Sequence, residues 1–513
     1  MNREDLRKMI GQHFVCGFDG PTISDEFRAA VKTHKIANII LFARNVKSKE
    51  QLKALTNDIQ ELVRAETGSE AFICIDQEGG MVTRLSSDFT NVPGAMALGA
   101  TKMPSSAYTA GTITGSELRA AGVNVDFAPA LDVNSNPNNP VIGVRSYSDD
   151  PAMVGRLGLA MVEGLQKTGV IASGKHFPGH GDTHIDTHLA LPTVINNLDL
   201  HLAPFKTAID GGVKGIMTSH ILFPELEDEY LPATMSRKIL TNLLKDKLGF
   251  TGLVFTDCME MKAIADNWGT VKGSLLALKA GVDIVCISHH VNLGVAAIEL
   301  VEEAYLNGEL DSEELAASTK KILAYKEQLA DLEEVPFETI GSADHTFVNK
   351  LLHEATITLV HDAPFELTEK RLFIGPRPFK ATNVSNDDDH LLFGPALANL
   401  LGGDFLTIGD NPDEEEIQAV VKRATTYPSV VIGTYNGHLF DGQLALANAV
   451  SAVTNVALFA LRNPYDVAYL NPSIRSYAAW AYTPMAFEAI ARILTGEIYP
   501  NDFLPIHLGG SNA

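Results

Sequence analysis

Eight short apolar or β-branched runs, each followed by a stretch of helical periodicity, punctuate the first two thirds of this 513-residue chain. They are HFVCGF (13–18), IANIILF (36–42), AFICID (71–76), VNVDFAP (123–129), VIASGKH (170–176), GIMTSH (215–220), GLVFTD (252–257) and DIVCIS (283–288). Strands separated by helical segments such as KEQLKALTNDIQELVRAE require parallel crossovers. Eight such units fit a closed (β/α)8 TIM-type barrel better than an open doubly wound sheet. After the helical LAASTKKILAYKEQLADLEE the pattern loosens at VPFETIGSADH, and a second alternating series follows: ATITLV, RLFIGP, FLTIG, PSVVIGT and VALFAL. The expected architecture is α/β, with a barrel over 1–332, a linker over 333–345 and a three-layer αβα sandwich over 346–513. The acidic stretches NDDDH and NPDEEE are expected to be solvated loops.

Composition narrows the function classes. Hydrophobic residues make up 45% and charged residues 20%, close to globular averages. Lys and Arg number 40 against 63 Asp and Glu, a formal charge of −23 that repels nucleic acid and anionic membrane. The start, MNREDLRKMIGQHFVCGFDG, shows no secretory apolar core, and no later run is long and apolar enough to span a bilayer, so a cytoplasmic enzyme is expected. Cys16, Cys74, Cys258 and Cys286 are scattered without a CxxC pair, and mostly sit in or beside apolar runs. Reduced core thiols are expected rather than a zinc cluster.

Polar residues close most strand candidates: Asp76 with Gln77 and Glu78, Asp132, Lys175 with His176, Ser219 with His220, Asp257, and Ser288 with His289. Barrel active sites are built at the C-terminal strand ends, so these residues are expected on one rim, although any one of them could simply cap a helix. The segment 174–192, GKHFPGHGDTHIDTHLALP, adds His176, His180, His184 and His188 at four-residue intervals. That interval aligns metal ligands on a helix, but Pro178, Gly179 and Gly181 break any helix here. Loop ligands to a metal, a structured loop in which His180 and His184 bond only backbone, and a proton-transfer pair all remain open. In the last reading Asp186 and His188, two apart in an extended loop, project to the same side. The carboxylate then fixes the tautomer and raises the imidazole pKa. Asp257, on a rigid strand end, is a well-placed carboxylate nucleophile for such a pair.

Together these pieces resemble the β-N-acetylglucosaminidases of glycoside hydrolase family 3. IDQEGG (75–80), NNPVIGVRSYSDDP (138–151), KHFPGHGDTHIDTH (175–188), MTSHILFP (217–224) and VFTDCMEM (254–261) occur in that family's order. The resemblance covers most of 10–330 and extends more weakly through the remainder. It implies that Asp257 is the nucleophile of a glycosyl-enzyme intermediate, that His188 is the acid/base, and that Asp186 orients it. It implies sugar-binding roles for Asp76, Arg84, Arg145, Lys175 and His176. It implies no cofactor or metal. The partner is then a small saccharide, with a homo-oligomer left open. Met81 departs from the family's EGGRV pattern, which bears on the local rim contacts. Retaining glycosidases usually hold two carboxyl groups ~5–5.5 Å apart, and here a His/Asp pair would replace one of them, on a loop whose Pro and Gly let it close over substrate.

The resulting expectation is a retaining exo-β-N-acetylglucosaminidase acting on muropeptide fragments or chitooligosaccharides. A phosphorylase using the same site is the alternative, since an imidazole does not repel phosphate as a carboxylate would. A metal-dependent hydrolase and a non-catalytic sugar-binding protein are the remaining classes. The second domain could shape the aglycone side, mediate dimerisation or pack on the barrel. Its loops GTYNGH (433–438) and RNPYD (462–466) could be functional or plain turns.

Overall fold

The computed structural model describes residues 2–183, 186–194, 197–378 and 390–509. Eight parallel strands close a barrel in sequence order: β1 (Phe14–Cys16), β2 (Asn38–Leu41), β3 (Phe72–Ile75), β4 (Val125–Asp126), β5 (Ile171–Phe177), β6 (Gly215–Thr218), β7 (Leu253–Cys258) and β8 (Ile284–Ile287). Each lies inside, or within a residue of, one of the eight apolar runs. Closure is sealed by β1 pairing with β8, Val15 opposite Cys286. The crossover helices begin and end where local chemistry dictates. In the helix Lys49–Thr67, the Ser48 hydroxyl accepts the Gln51 N–H, and Gly68 stops the helix at φ +78°, a conformation that costs glycine little.

Side chains alternate between two cores, as a closed sheet requires. Val15, Phe72, Cys74, Phe127, Met217 and Phe255 fill the barrel interior, while Phe14, Cys16, Ile73 and Val254 face the helices. The helix Ser312–Ala330 plugs the barrel's N-terminal end. Its Lys326 is buried, with Nζ donating to Gln12 Oε1 at 2.7 Å and the Ala37 carbonyl at 3.1 Å. Cys16, Cys74 and Cys286 are buried free thiols; Cys258 differs, because it lines a cavity beside Asp257.

The connection to the second sheet is shorter than its composition suggests. A helix begins at Ala343, capped by the Ser342 hydroxyl, and so takes in the end of the expected linker. A six-stranded sheet follows in the order β11-β10-β12-β13-β14-β9, from β9 (Thr358–His361), β10 (Arg371–Pro376), β11 (Asp404–Ile408), β12 (Ser429–Thr434), β13 (Asn455–Ala460) and β14 (Arg475–Ala478). All pairs are parallel except β14 with β9. Apolar clusters lie on both faces of the sheet, which makes it the middle layer of an αβα sandwich. Five of its strands coincide with the expected runs; β14 does not. Its sequence RSYA carries no β-branched residue, and pairing with β13 and β9 on either side holds it in the sheet. The stretch 386–389 of NDDDH lies outside the described residues.

The sandwich packs on the barrel. Tyr465, Ala478, Trp480 and Ile506 form one apolar cluster with the barrel's Met96, Ala97 and Val144, and Met81 packs against it. The position that departs from the family pattern is therefore part of the interdomain contact. Asn134 Nδ2 donates to the Tyr465 hydroxyl across the same interface at 2.7 Å.

Candidate active site

The C-terminal rim of the barrel holds a cavity of about 510 Å³. Its lining includes Asp76, Arg84, Arg145, Lys175, His176, His188 and Asp257, so seven of the eight expected residues meet in one space. The eighth, Asp186, stands behind His188. Among the described residues, every side chain lining the cavity comes from the barrel.

On one wall, four charges neutralise one another. Glu78 accepts the Arg145 guanidinium through two parallel bonds of 2.9 and 2.7 Å, and Lys175 Nζ bridges Glu78 at 2.7 Å and Asp76 at 2.8 Å. Arg145 and Lys175 therefore both line the cavity and form salt bridges. Sequence reasoning placed Glu78 at a strand end and gave it no role, yet it is the hub of this network. The usable signal was charge balance: two cations entering a barrel end need buried carboxylates beside them. Burial opposes the Glu78 carboxylate, but Arg145 and Lys175 overcome that and hold its pKa well below the usual range. Removing one member would strand the others, a loss of about 3–5 kcal/mol. Arg84 is 5% exposed, with its guanidinium 5.8 Å from the Phe42 ring.

Asp132, at the end of the β4 segment, organises the next wall. Its Oδ2 lies 2.7 Å from His176 Nδ1, while Oδ1 accepts the backbone N–H groups of His176 at 3.2 Å and His180 at 2.7 Å. His176 Nε2 stands 3.4 Å from Arg145. The His180 ring bonds hydroxyls rather than backbone, with Thr183 Oγ1 at 2.8 Å and Thr187 Oγ1 at 3.3 Å. Burial lowers its pKa to about 4 and keeps it neutral. His184 lies outside the described residues. Among the described residues, no three His, Cys, Asp or Glu side chains gather as metal ligands.

The loop glycines serve packing more than hinging. A Cβ at Gly181 would stand 1.6 Å from the Val133 carbonyl, and Gly179 has φ +142° with His201 against it. Asn139 Nδ2 ties the same stretch down by donating to the His180 carbonyl at 2.9 Å.

Beyond this anchored part, Asp186 and His188 meet as expected but through a turn, not an extended loop. Asp186 Oδ1 accepts the His188 backbone N–H at 2.8 Å and lies 2.8 Å from its Nδ1, and the Leu189 N–H closes onto the Asp186 carbonyl. Side-chain capping of a turn is an ordinary use of aspartate, and here it also aims the ring. Burial disfavours the imidazolium, but the Asp186 bond and charge, together with the Asp257 charge, outweigh it and raise the His188 pKa. Asp257 ends β7, and its Oδ1 accepts the Cys258 N–H at 2.7 Å. Burial pushes its pKa up, while His176, His220 and His188 bring it below the usual carboxylate value. His220, expected only as a strand-end residue, braces this end of β7, with Nε2 3.0 Å from the Cys258 carbonyl. An ionised carboxylate and an imidazole biased toward its charged form thus open on one cavity. That pairing suits nucleophilic displacement with proton transfer to the leaving atom.

Residues 4–325 match the glycosyl hydrolase family 3 N terminal domain. The chain is 36% identical over 369 residues to beta-hexosaminidase A of Pseudoalteromonas piscicida, an alignment covering 66% of this chain and 62% of that protein. In structure it is similar to a glycoside hydrolase family 3 beta-N-acetylglucosaminidase from Paenibacillus sp. str. FPU-7, with TM-score 0.91, 38% identity and 99% of both chains covered. A beta-glucoside phosphorylase shares the fold at TM-score 0.82 and 20% identity, covering 99% of this chain and 97% of its own. The family match runs along the whole barrel that carries the cavity, and this chain therefore belongs to glycosyl hydrolase family 3.

Proposed function

We propose that the protein is a retaining exo-β-N-acetylglucosaminidase that releases N-acetylglucosamine from muropeptide fragments or chitooligosaccharides in the cytoplasm. The observation that carries the reading is the pairing of His188, aimed by Asp186 and raised in pKa, with the ionised Asp257 on one cavity. Asp257 attacks the anomeric carbon through an oxocarbenium-like state while His188, as imidazolium, protonates the leaving oxygen. The neutral imidazole then takes a proton from water as the glycosyl-aspartate is hydrolysed. Asp76, Arg84, Arg145, Lys175 and His176 hold the sugar; the charge network around Glu78 keeps its cations in place before substrate arrives. The barrel is the catalytic unit and the sandwich its support.

The similarity to hexosaminidases supports the sugar assignment. One observation favours a second reading, phosphorolysis: the proton-transfer group is an imidazole, which carries no negative charge to oppose phosphate. A panel of aryl β-glycosides in phosphate and phosphate-free buffer separates the two. Free N-acetylglucosamine at a rate independent of phosphate is expected. A phosphate-dependent rate with a sugar 1-phosphate product would transfer the assignment to the phosphorylase. Failure to cleave the N-acetylglucosaminide would remove the hexosaminidase reading, and a β-glucoside cleaved only with phosphate would leave a β-glucoside phosphorylase.

A further inference from the structure

Three successive loops on the C-terminal rim of the barrel put apolar side chains into solvent. Leu189, next to His188 in the loop after β5, is 61% exposed. Tyr230, in the loop after β6, is 65% exposed, and its ring stacks on Trp268 from the loop after β7, with centroids 5.8 Å and planes 27° apart. Trp268 in turn packs against the barrel core with Leu226 and Leu231. One face of Tyr230 therefore rests on a fixed ring, and the other is open. Single exposed apolar residues are ordinary, but a stacked aromatic pair held over a core is a preformed surface.

The three loops are tied to one another around His188. The Leu222 N–H donates to the Pro192 carbonyl and the Leu222 carbonyl accepts the Val194 N–H, both at 3.0 Å, which joins the loops after β5 and β6. Leu222 also pairs with Pro232, two residues beyond Tyr230. The Ala263 N–H reaches the Thr187 carbonyl at 3.3 Å, which joins the loops after β5 and β7. The helix Lys262–Ala265 begins at this point, and Lys262 lines the Asp257 cavity. The Asn267 and Trp268 N–H groups both close onto the Ile264 carbonyl, so the winding continues past the helix. At the helical rise Trp268 stands about 9 Å along the axis from Lys262.

The inference rests on the glycosidase reading above. There His188 protonates the leaving oxygen, so the departing part of the substrate lies on the His188 side of the anomeric carbon. A β-linked N-acetylglucosamine ring carries its hydroxyls around its equator and C–H groups on its faces, a surface that an aromatic ring accepts. We propose that Tyr230, backed by Trp268, forms a subsite for the leaving saccharide, whose pyranose C–H face lies on the open face of Tyr230 with Leu189 at its flank. Tyr230 is then a specificity-determining residue that favours a sugar over a simple alcohol as leaving group, and it takes no part in bond cleavage.

The test compares two N-acetylglucosaminides with alkoxide leaving groups. N,N′-diacetylchitobiose releases a sugar; the methyl glycoside releases an alcohol with no ring. Tyr230→Ala should lower kcat/KM for the chitobiose about three- to tenfold, chiefly through KM, and leave the methyl glycoside within about twofold, while Tyr230→Phe keeps the wild-type preference. A second measurement uses the chain's two tryptophans. Trp480 is buried in the interdomain contact, so Trp268 is the reporter on the rim. Titrating Asp257→Ala with the chitobiose should give a saturable emission shift that the methyl glycoside does not produce and that disappears when Trp268→Phe is added. A wild type that cleaves both glycosides, with Tyr230→Ala slowing both equally or neither, overturns the subsite alone, as does an emission unmoved by the chitobiose. A wild type that cleaves neither overturns the glycosidase reading and the subsite with it.

Discussion

Two histidine–aspartate pairs in this molecule share one hydrogen-bond geometry in different surroundings. His188 presents its backbone N–H and its Nδ1 to Asp186 Oδ1 at 2.8 Å each; His438 repeats the pattern on Asp466 Oδ1 at 2.8 and 2.9 Å. The first pair sits on the barrel rim, its imidazole 27% exposed and within electrostatic reach of Asp257. The second lies in the sandwich, beyond β12 and β13. There the His438 side chain is 5% exposed, packed edge-on to Tyr465 with centroids 5.3 Å apart, on a cleft of about 110 Å³. The same bond pattern therefore closes a turn in the first place and ties together two loops 28 residues apart in the second. What distinguishes the first pair is the Asp257 carboxylate it faces across the open cavity.

Asp257 should carry the largest effect. Asp257→Ala should lower turnover by more than about 10⁴-fold with the fold intact by circular dichroism, and an activated fluoro-sugar should label Asp257 in the wild type. Near-normal activity, or a label on another carboxylate, would reassign the nucleophile. His188→Ala should cost about 10²–10⁴-fold on alkyl glycosides. A dinitrophenyl glycoside needs no proton donor, so its first step should be spared, a burst should appear, and azide should restore turnover. Equal slowing of both substrates without a burst would make His188 structural.

Asp186→Ala should be milder, about ten- to a hundredfold, and should also move the pH profile. Because Asp186 raises the His188 pKa, the imidazolium persists to higher pH in the wild type. The alkaline fall in kcat/KM should therefore begin at lower pH in the variant, and an unmoved limb would dissociate Asp186 from the acid. The smallest effect sharpens the contrast: His438→Ala should change kcat/KM by less than about twofold while lowering Tm, since its bonds to Asp466 are structural. A loss comparable to that of His188→Ala would place the second pair in the reaction.

Much of the fold is legible because its signals are local. Apolar β-branched runs and intervening helical periods mark thirteen of the fourteen strands among the described residues, and β14 escapes because RSYA draws its pairing from neighbours. Within the site, Asp186 and His188 are two residues apart, so their pairing is written in the chain. The Glu78 hub joins residues 67 and 97 positions distant, and Asp132 holds His176 from 44 positions away. No periodicity encodes such pairs.

The amino-acid sequence by itself determined the barrel, the strand ends that carry the polar residues, and the Asp186–His188 spacing, because backbone period and short-range geometry depend on neighbours in the chain. The tertiary structure alone decided which histidine is buried and neutral, which is raised toward its charged form, and which carboxylates meet the cations. Charge and burial depend on distance in space, and barrel closure sets those distances.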